Sequence, residues 1–261
     1  MHQAKRGDRV NTERRDTIKK LLDAKGEIAL TELEAMFPDC SSMTLRRDLK
    51  FMEDNGLVKR TRGGAVALSR LSIAAEDVYS RRAVENTDAK TVIAKKAGAL
   101  LESGRSIYLD SGTTLMQFAK EIPDDYISIL TSGPNIALEL IKKNRPNVML
   151  IGGQLSRNTL SVSGAGANRT LSGVNIDVAF MASSGFSLQH GFTSGTYSEC
   201  ELKREVLKMA TRVIMLMDSS KVGKNLPYTF GMLSDIDVLV SDEQLPEEIV
   251  QAARAQGVTV I

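Results

Sequence analysis

The chain has 261 residues, of which 42% are hydrophobic and 25% are charged, and its formal net charge is +2. This length favours two domains, and the composition is typical of a soluble globular protein and unlike that of a disordered or coiled-coil chain. No stretch approaches 18 uncharged apolar residues and the opening MHQAKRGDRV lacks the apolar centre of a secretion signal, so we expect a cytoplasmic protein that does not contact membranes.

The charged residues are distributed unevenly along the chain. Basic residues are dense between Lys5 and Arg82, whereas the remainder is close to balanced. Such an asymmetry indicates a segment that faces a polyanion, although a solvated basic surface would have the same composition. The two cysteines, Cys40 and Cys200, are far apart and are accompanied by only two histidines. We therefore expect no disulfide, no metal site and no cofactor.

Two helices are predicted near the N-terminus. From Thr12 to Ala24 the apolar residues follow helical spacing, and Gly26 is placed to end the helix. Thr31 and Glu34 match a capping box, in which each side chain binds a backbone N–H at the start of a helix. We therefore expect a second, short helix that begins at Thr31 and stops near Pro38.

A third helix is predicted over SSMTLRRDLKFMEDNG, with Ser41 as its N-cap. Helical spacing puts Leu45, Leu49 and Met52 on one apolar stripe and the cations on the opposite side. Two β-prone runs, LVKRT and AVAL, follow and are joined through RGG, whose glycines we expect to adopt positive φ in a tight turn. Three helices followed by a basic hairpin are the order of a winged helix-turn-helix domain, which we assign to residues 1–68.

The outward side of the third helix is suited to the major groove of double-stranded DNA, where arginine pairs with guanine or binds phosphates. A surface helix with three cations is more often simply solvated, but the neighbouring helices and hairpin favour DNA binding. The predicted DNA-binding residues are Ser41, Ser42, Met43, Thr44, Arg46, Arg47, Lys50 and, along the hairpin, Lys59, Arg60 and Arg62. We expect Asp48 to hold an arginine or the hairpin in place.

The segments TLRRDL and GLVKRTRGGA closely resemble the DNA-binding motif of the DeoR family of bacterial transcription regulators. The positions that match the motif are Ser41, Thr44, Arg46, Arg47, Asp48, Leu49, Gly56, Arg60, Gly63, Gly64 and Ala65. The chain departs from the motif at FPDCSS, where the family usually has a glycine and then an aliphatic residue before the serine. The turn before the third helix is therefore expected to differ in shape.

Residues 69–89 are polar and are interpreted as a linker that includes some helix. Six short apolar runs follow, SIYLDSG, YISILTSG, NVMLIGG, IDVAFMASSG, RVIMLMDSS and IDVLVSD, and most are separated by helix-like segments. Continuous apolar strands that alternate with helices predict a sheet buried on both faces. We therefore assign residues 90–261 to a mostly parallel α/β domain.

Small polar residues follow the predicted strands. In the part of LDSGTT that runs from Asp110 to Thr114, backbone N–H groups, hydroxyls and the positive end of a helix dipole can together bind a phosphate, with ordinary helix capping as the alternative. Lys221 is the expected counter-charge. Because strand-end loops of an open sheet meet at one crevice, similar residues are expected to converge there. These are residues 131–133, 152–153, 163–166 and 218–221.

Nucleotide-binding and nucleophile motifs are absent from the sequence. GAGANR lacks the last glycine of the dinucleotide fingerprint, and no GxxxxGK[ST] occurs. No GxSxG accompanies His2 or His190, and we interpret His190 as a turn residue. The sequence therefore predicts no catalytic residue.

The resemblance to the DeoR family continues through IYLDSGTT, LTS, LIGG, DVAFMASSGF, GFTS, ECELKR and MDSSKVG, which look like the motifs of its sensor domain. That domain is similar in fold to ribose-5-phosphate isomerase and coenzyme A transferases, and the resemblance implies a sugar-phosphate effector. It implies phosphate binding by Ser111, Gly112, Thr113, Thr114 and Lys221. It implies sugar contacts by Asp110, Thr131, Ser132, Gly153, Glu199 and Lys203. An amide contact is missing, because Thr131-Ser132-Gly133 replaces the Thr-Asn-Ser of many relatives.

The leading functional hypothesis is a transcription regulator, a repressor of a carbohydrate catabolic operon. Its partners would be operator DNA and a phosphorylated sugar. We expect a homo-oligomer, a dimer or tetramer, since helix-turn-helix proteins read paired half-sites. A sugar-phosphate isomerase with an accessory DNA-binding domain is the alternative, because aldose–ketose isomerisation requires only a carboxylate base and an electrophile. An activator or an architectural DNA-binding protein is a third, weaker hypothesis.

Overall fold

The computed structural model of the protein describes residues 14–22, 25–55, 57–67 and 78–261. The chain divides into two compact units, Met1–Ala75 and Glu76–Ile261. Within the described ranges, every helix is too short or too polar to cross a membrane.

The N-terminal unit combines helices with a three-stranded antiparallel sheet in the order β1-β3-β2. This confirms the predicted winged helix-turn-helix arrangement. Residues 12–13 and 23–24, which belong to the predicted first helix, lie outside the described residues. The described elements are α1 (residues 14–22), β1 (Glu27–Ala29), α2 (Leu30–Met36), α3 (Ser42–Asp54), β2 (Val58–Arg60) and β3 (Gly64–Ala67).

An apolar cluster packs α3 against α1. Leu45, Leu49 and Met52 are at most 2% exposed and lie in one cluster with Ile18 and Leu22. Burying each such side chain contributes about 1.5–3 kcal/mol, so the stripe fixes which side of α3 faces outward. The predicted core stripe of α3 is confirmed.

The predicted start of the second helix is wrong. Helix α2 begins at Leu30, its N-cap is Ala29 and no side chain caps it, so Thr31 and Glu34 do not form a capping box. The reason is that β1 runs directly into α2. The backbone N–H of Leu30 donates to the carbonyl oxygen of Gly63 at 2.7 Å, and the hairpin thereby replaces the side-chain cap.

The hairpin turn also differs from the prediction, because neither Gly63 nor Gly64 has positive φ. Strand β1 was not predicted, and it pairs antiparallel with β3, with Ala29 opposite Gly64. A Cβ atom at position 64 would lie 2.0 Å from the carbonyl oxygen of Ile28. The close approach of two strands, rather than the conformation of a turn, therefore requires glycine at position 64.

The C-terminal unit is built on a seven-stranded sheet in the order β15-β14-β12-β9-β4-β5-β6, in which all neighbouring pairs are parallel. The first elements are α4 (Tyr79–Val84), α5 (Thr87–Gly98), β4 (Ser106–Leu109), α6 (Thr113–Glu121), β5 (Ser128–Thr131), α7 (Pro134–Leu140), β6 (Asn147–Leu150), β7 (Gln154–Ser156), β8 (Ser161–Ser163) and α8 (Ala165–Leu171). They are followed by β9 (Ile176–Ala182), β10 (Gly185–Ser187), β11 (Gly191–Ser194), α9 (Tyr197–Met209), β12 (Ala210–Leu216), β13 (Tyr228–Gly231), β14 (Val238–Val240), α10 (Glu247–Ala255) and β15 (Thr259–Val260).

Apolar side chains fill both faces of the parallel sheet. Along β4, Tyr108 belongs to one buried cluster, whereas its neighbours Ile107 and Leu109 belong to another, because successive side chains of a strand point to opposite faces. The predicted, mostly parallel α/β domain is therefore confirmed. Strands β12, β9 and β4 are adjacent at its centre, and their carboxyl ends meet at one edge.

Two smaller sheets of this unit were not predicted. The β7–β8 hairpin and the β10-β11-β13 sheet lie outside the main sheet. Helix α4 lies within the polar segment interpreted as a linker, and α5 begins there and continues to Gly98. Residues 68–77 of that segment lie outside the described part of the chain.

Candidate functional site

The exposed side of α3 presents the predicted cations. The Oγ of Ser41 accepts a hydrogen bond from the backbone N–H of Thr44 at 3.3 Å, which confirms Ser41 as the N-cap. The exposed residues that follow it are Ser42, Met43, Arg46, Arg47 and Lys50. Since the apolar stripe occupies the other side, this row of side chains can reach the edges of bases or phosphates.

Asp48 joins α3 to α1 on the buried side. Its Oδ2 accepts a hydrogen bond from Nε of Arg14 at 2.6 Å, and its Oδ1 accepts one from Nε of Arg15 at 2.7 Å. The hydrogen bond between Arg14 and Asp48 raises the pKa of Arg14. The guanidinium of Arg15 also lies 3.9 Å from the ring centroid of Phe51. Asp48 thus holds two arginines, and these contacts orient α3.

Glu53 joins the hairpin to the last turns of α3. Its Oε1 accepts a hydrogen bond from the backbone N–H of Arg60 at 3.1 Å, and its carboxylate lies 3.9 Å from Nζ of Lys59 and 4.0 Å from Nε of Arg60. The side chains of Lys59, Arg60 and Arg62 are exposed. The hairpin therefore presents a second set of cations beside α3.

A pocket, here called the strand-end pocket, lies at the carboxyl ends of β4, β9 and β12 in the C-terminal unit. It encloses about 360 Å³ when its open mouth is counted. Its lining residues are Arg82, Ser111, Gly112, Thr113, Thr114, Thr159, Ala182, Ser183, Ser184, Glu199, Lys203 and Lys221. All five residues predicted to bind phosphate are among them, as are Glu199 and Lys203.

The start of α6 supplies the features of an anion site. Gly112 is the N-cap of this nine-residue helix, with φ of 121°, a conformation open to glycine and strained for other residues. The first N–H groups of a helix lack acceptors within the helix, and the positive end of the helix dipole favours negative charge. With the hydroxyls of Ser111, Thr113 and Thr114 in the same lining, this end of the pocket can bind a phosphate.

Asp110 lies beneath the pocket rather than in its lining. It is 1% exposed, and its carboxylate accepts hydrogen bonds from the backbone N–H groups of Ser111 at 2.8 Å and Ala182 at 3.0 Å. It also accepts one from Nζ of Lys203. That ammonium lies 3.7 Å from Oε1 of Glu199. Asp110 therefore positions Lys203, and Lys203 and Glu199 provide the charged groups of the pocket wall.

Like Asp110, three further residues implied as sugar contacts are not among the pocket-lining residues. Thr131 Oγ1 accepts a hydrogen bond from the backbone N–H of Gly133 at 3.0 Å, and Ser132 Oγ accepts one from the hydroxyl of Tyr108 at 3.0 Å. A Cβ atom at Gly153 would lie 2.7 Å from a backbone oxygen of β8. These groups support the fold, and the expected convergence is limited to the loops after β4, β9 and β12.

Arg82 and Thr159 also line the pocket and were missed by sequence reasoning. Arg82 lies in the polar segment interpreted as a linker, where no motif marks it. Beneath it, the buried Nζ of Lys90 donates hydrogen bonds to the carbonyl oxygens of Arg82 and Glu85. Burial lowers the pKa of Lys90, and the charges of Lys221 and Arg82 lower it further. Arg82 and Lys221 are thus two cations that line the pocket.

Comparison with known proteins gives two family matches. Residues 14–70 match the DeoR-like helix-turn-helix domain, and residues 85–243 match the DeoR C terminal sensor domain. Arg82 lies between the two matched ranges, whereas all other residues that line the strand-end pocket lie inside the second.

Individual relatives match over most of their length. The HTH-type transcriptional regulator GlpR of Haloferax volcanii is 32% identical over 85% of this chain and 86% of its own. The putative aga operon transcriptional repressor of Escherichia coli O157:H7 is 30% identical over 96% of this chain and 93% of its own. Among solved structures, ribose 5-phosphate isomerase A of Methanocaldococcus jannaschii is 18% identical, with a TM-score of 0.40 over 53% of this chain and 55% of its own.

Proposed function

Because the chain belongs to the DeoR family of transcription regulators, we propose that it is a repressor of a carbohydrate catabolic operon that a phosphorylated sugar releases from operator DNA. The observation that carries this proposal is the strand-end pocket, in which hydroxyls, the start of α6 and Lys221 meet a carboxylate and an ammonium. The name of the E. coli relative, a putative operon repressor, supports the sign of regulation.

The exposed side of α3 would read the operator. Arg46, Arg47 and Lys50 would contact base edges or phosphates in the major groove, and Ser41 and Thr44 would lie near a phosphate at the start of the helix. The hairpin cations would follow the DNA backbone, where each neutralised phosphate steepens the salt dependence of binding.

The strand-end pocket would bind the two ends of a sugar phosphate differently. Ser111, Gly112, Thr113 and Thr114, with Lys221, provide donors and positive charge for the phosphate. Glu199 and Lys203 offer an acceptor and a donor for sugar hydroxyls. The carboxylate of Glu199 would repel a second phosphate, so the site favours a monophosphate that also carries hydroxyl groups.

Repression would require paired DNA-binding domains, because a two-fold operator is read by a dimer or tetramer. An exposed apolar edge of the sheet supports such a homo-oligomer. On the edge strand β6, Met149 and Leu150 are 48% and 43% exposed, and Leu138 and Ile141 at α7 are more exposed still. The effector would act by binding more tightly to the arrangement that does not fit the operator half-sites.

An isomerase activity is the alternative that the pocket itself raises, since Glu199 and Lys203 place a carboxylate and an ammonium together. However, Lys203 also donates hydrogen bonds to Asp110 and to the carbonyl oxygen of Ala182, which suits a fixed binding group. We propose that the protein is not an enzyme. A coupled assay over pentose and hexose phosphates tests this, and turnover abolished by Glu199→Gln would contradict it.

A ligand screen tests the regulator proposal directly. Thermal stability of the full chain is measured with a panel of sugar phosphates and with the same sugars unphosphorylated. A true effector at about 100 times its dissociation constant adds roughly 2.7 kcal/mol to the free energy of unfolding. The compound that stabilises the chain should also release it from its operator, whereas stabilisation by the unphosphorylated sugars alone would count against the proposal.

A further inference from the structure

Helix α4 is a short element that depends on polar contacts. It has six residues and no buried side chain, and a helix of this length is not stable in isolation. The backbone N–H of Tyr79 donates to the carbonyl oxygen of Asn158 in the β7–β8 turn at 2.7 Å, and the Tyr79 hydroxyl accepts a hydrogen bond from Asn135 at 2.7 Å. Its other end is held by Lys90. These contacts place α4 beside the strand-end pocket.

The turn that holds α4 also carries a buried hydroxyl facing the pocket. Thr159 follows Asn158, lines the pocket and is 3% exposed. Its Oγ1 has no hydrogen-bond partner among the residues that the structure describes. Leaving such a group unsatisfied is destabilising, so a ligand oxygen in the pocket is a favourable partner for it.

We propose that Arg82 and Thr159 complete the anion site of the strand-end pocket, so that a phosphate bound at the start of α6 also binds α4 and locks it in place. This inference rests on the proposed function and adds its route of regulation. A phosphate bridged in this way is held by two parts of the unit that are far apart in sequence. Ordering of α4 is then linked to the occupancy of the site.

The position of α4 in the chain connects the anion site to the DNA-binding domain. It is the first described element after β3 of the DNA-binding domain, separated from it only by residues 68–77. A phosphate that contacts Arg82 therefore fixes the end of the segment to which the DNA-binding domain is attached. Effector binding at the pocket is thereby linked to the segment that carries the DNA-binding domain.

The test measures binding of inorganic phosphate to the full chain by calorimetry, with hydrogen exchange recorded over α4. Phosphate should slow exchange in residues 79–84, and Arg82→Ala should weaken phosphate binding about tenfold or more, as expected for a lost charge-assisted hydrogen bond. The matched control is Arg81→Ala, since Arg81 is about half exposed and pairs with Glu85 at 2.9 Å. It should bind phosphate as the wild type does.

Thr159→Val separates a ligand-binding role from a structural one. Because the variant removes a buried hydroxyl that has no partner in the described chain, it should be at least as stable as the wild type without phosphate and should bind phosphate about fivefold more weakly. Wild-type affinity in Arg82→Ala, with weakened binding in Lys221→Ala, would overturn this inference and leave the proposed function standing. Failure of the wild type to bind both inorganic phosphate and every sugar phosphate of the panel would overturn both.

Discussion

The Nε of Arg14 lies 2.6 Å from Oδ2 of Asp48, and both side chains are buried, at 8% and 2% exposure. This ion pair connects α1 to the concealed side of α3. The carboxylate belongs to the helix that carries the candidate DNA-binding residues, yet it points away from them. Asp48 is therefore a positioning residue for the DNA-binding face.

Asp48→Asn should destabilise the N-terminal domain by about 3–5 kcal/mol, because it leaves a buried guanidinium without its counter-charge. Asp54→Asn on the same helix is the matched control. Its carboxylate lies 3.5 Å from Lys50, and both side chains are more than half exposed, so the change should cost about 0.5 kcal/mol or less. Hydrogen exchange of the α3 amides measures both effects. Equal effects of the two substitutions would contradict the positioning role.

Substitutions on α3 and on the hairpin should weaken operator binding in different ways. Arg47→Ala should reduce affinity by about 1–3 kcal/mol if the side chain reads a base, and should do so mainly for the specific sequence. Lys59→Ala should weaken specific and non-specific DNA alike and reduce the log–log salt slope by about 0.9. Fluorescence anisotropy at several salt concentrations separates these outcomes.

Lys142 of the other domain provides the control for both substitutions, since Lys142→Ala removes the same charge from a side chain that is 67% exposed and pairs with Glu139. It should leave affinity and salt slope nearly unchanged. If Lys59→Ala behaved like Lys142→Ala, the hairpin would not contact DNA.

Asp110 and Lys203 should be strongly coupled in stability. Removing either charge leaves the other buried without its partner, which costs about 3–5 kcal/mol, whereas removing both costs much less than the sum. Urea denaturation of Asp110→Asn, Lys203→Met and the double variant measures the coupling. The exposed pair of Arg204 and Glu201 is the control, and the same double-variant comparison should show little coupling there. If the losses in the free energy of unfolding from Asp110→Asn and Lys203→Met were additive, Asp110 would not position Lys203.

Lys90 should make the free energy of unfolding depend on pH under alkaline conditions. Burial, followed by the charge of Lys221, lowers its pKa below the ordinary value of 10.5. Between the two values the unfolded chain binds the extra proton, so the free energy of unfolding should rise with pH through that window. Lys90→Met should flatten this rise in urea denaturation, and Lys95→Met, a change at an exposed position of the same helix, should not. An identical slope in both variants would contradict the assignment.

The spacing of apolar residues, together with the residues that typically end helices and strands, predicted most of the fold. The apolar stripe of α3 and the run SIYL of β4 follow from side-chain spacing, because burial selects residues by the face on which they lie. The start of α2 was missed because its first N–H is satisfied by Gly63, which is distant in sequence. Strand β1 was missed for a similar reason, since a three-residue strand is specified mainly by the strand with which it pairs.

The candidate site was predictable where its residues belong to short sequence motifs. Ser111 to Thr114 lie in one turn, so a short motif describes their shared chemistry. Arg82 and Thr159 reach the same pocket through a hydrogen bond between Tyr79 and Asn158, a contact between segments about 80 residues apart that leaves no local pattern. The motif around Asp110 likewise does not show that its carboxylate accepts a hydrogen bond from Lys203.

We propose that the strand-end pocket controls operator binding without contacting the DNA. The most direct measurement compares Lys221→Ala with the wild type in operator binding, with and without the sugar phosphate that most stabilises the wild type. We predict that Lys221→Ala binds the operator as tightly as the wild type and is no longer released by that compound. Loss of operator binding in the correctly folded variant, or normal release from DNA, would contradict the account.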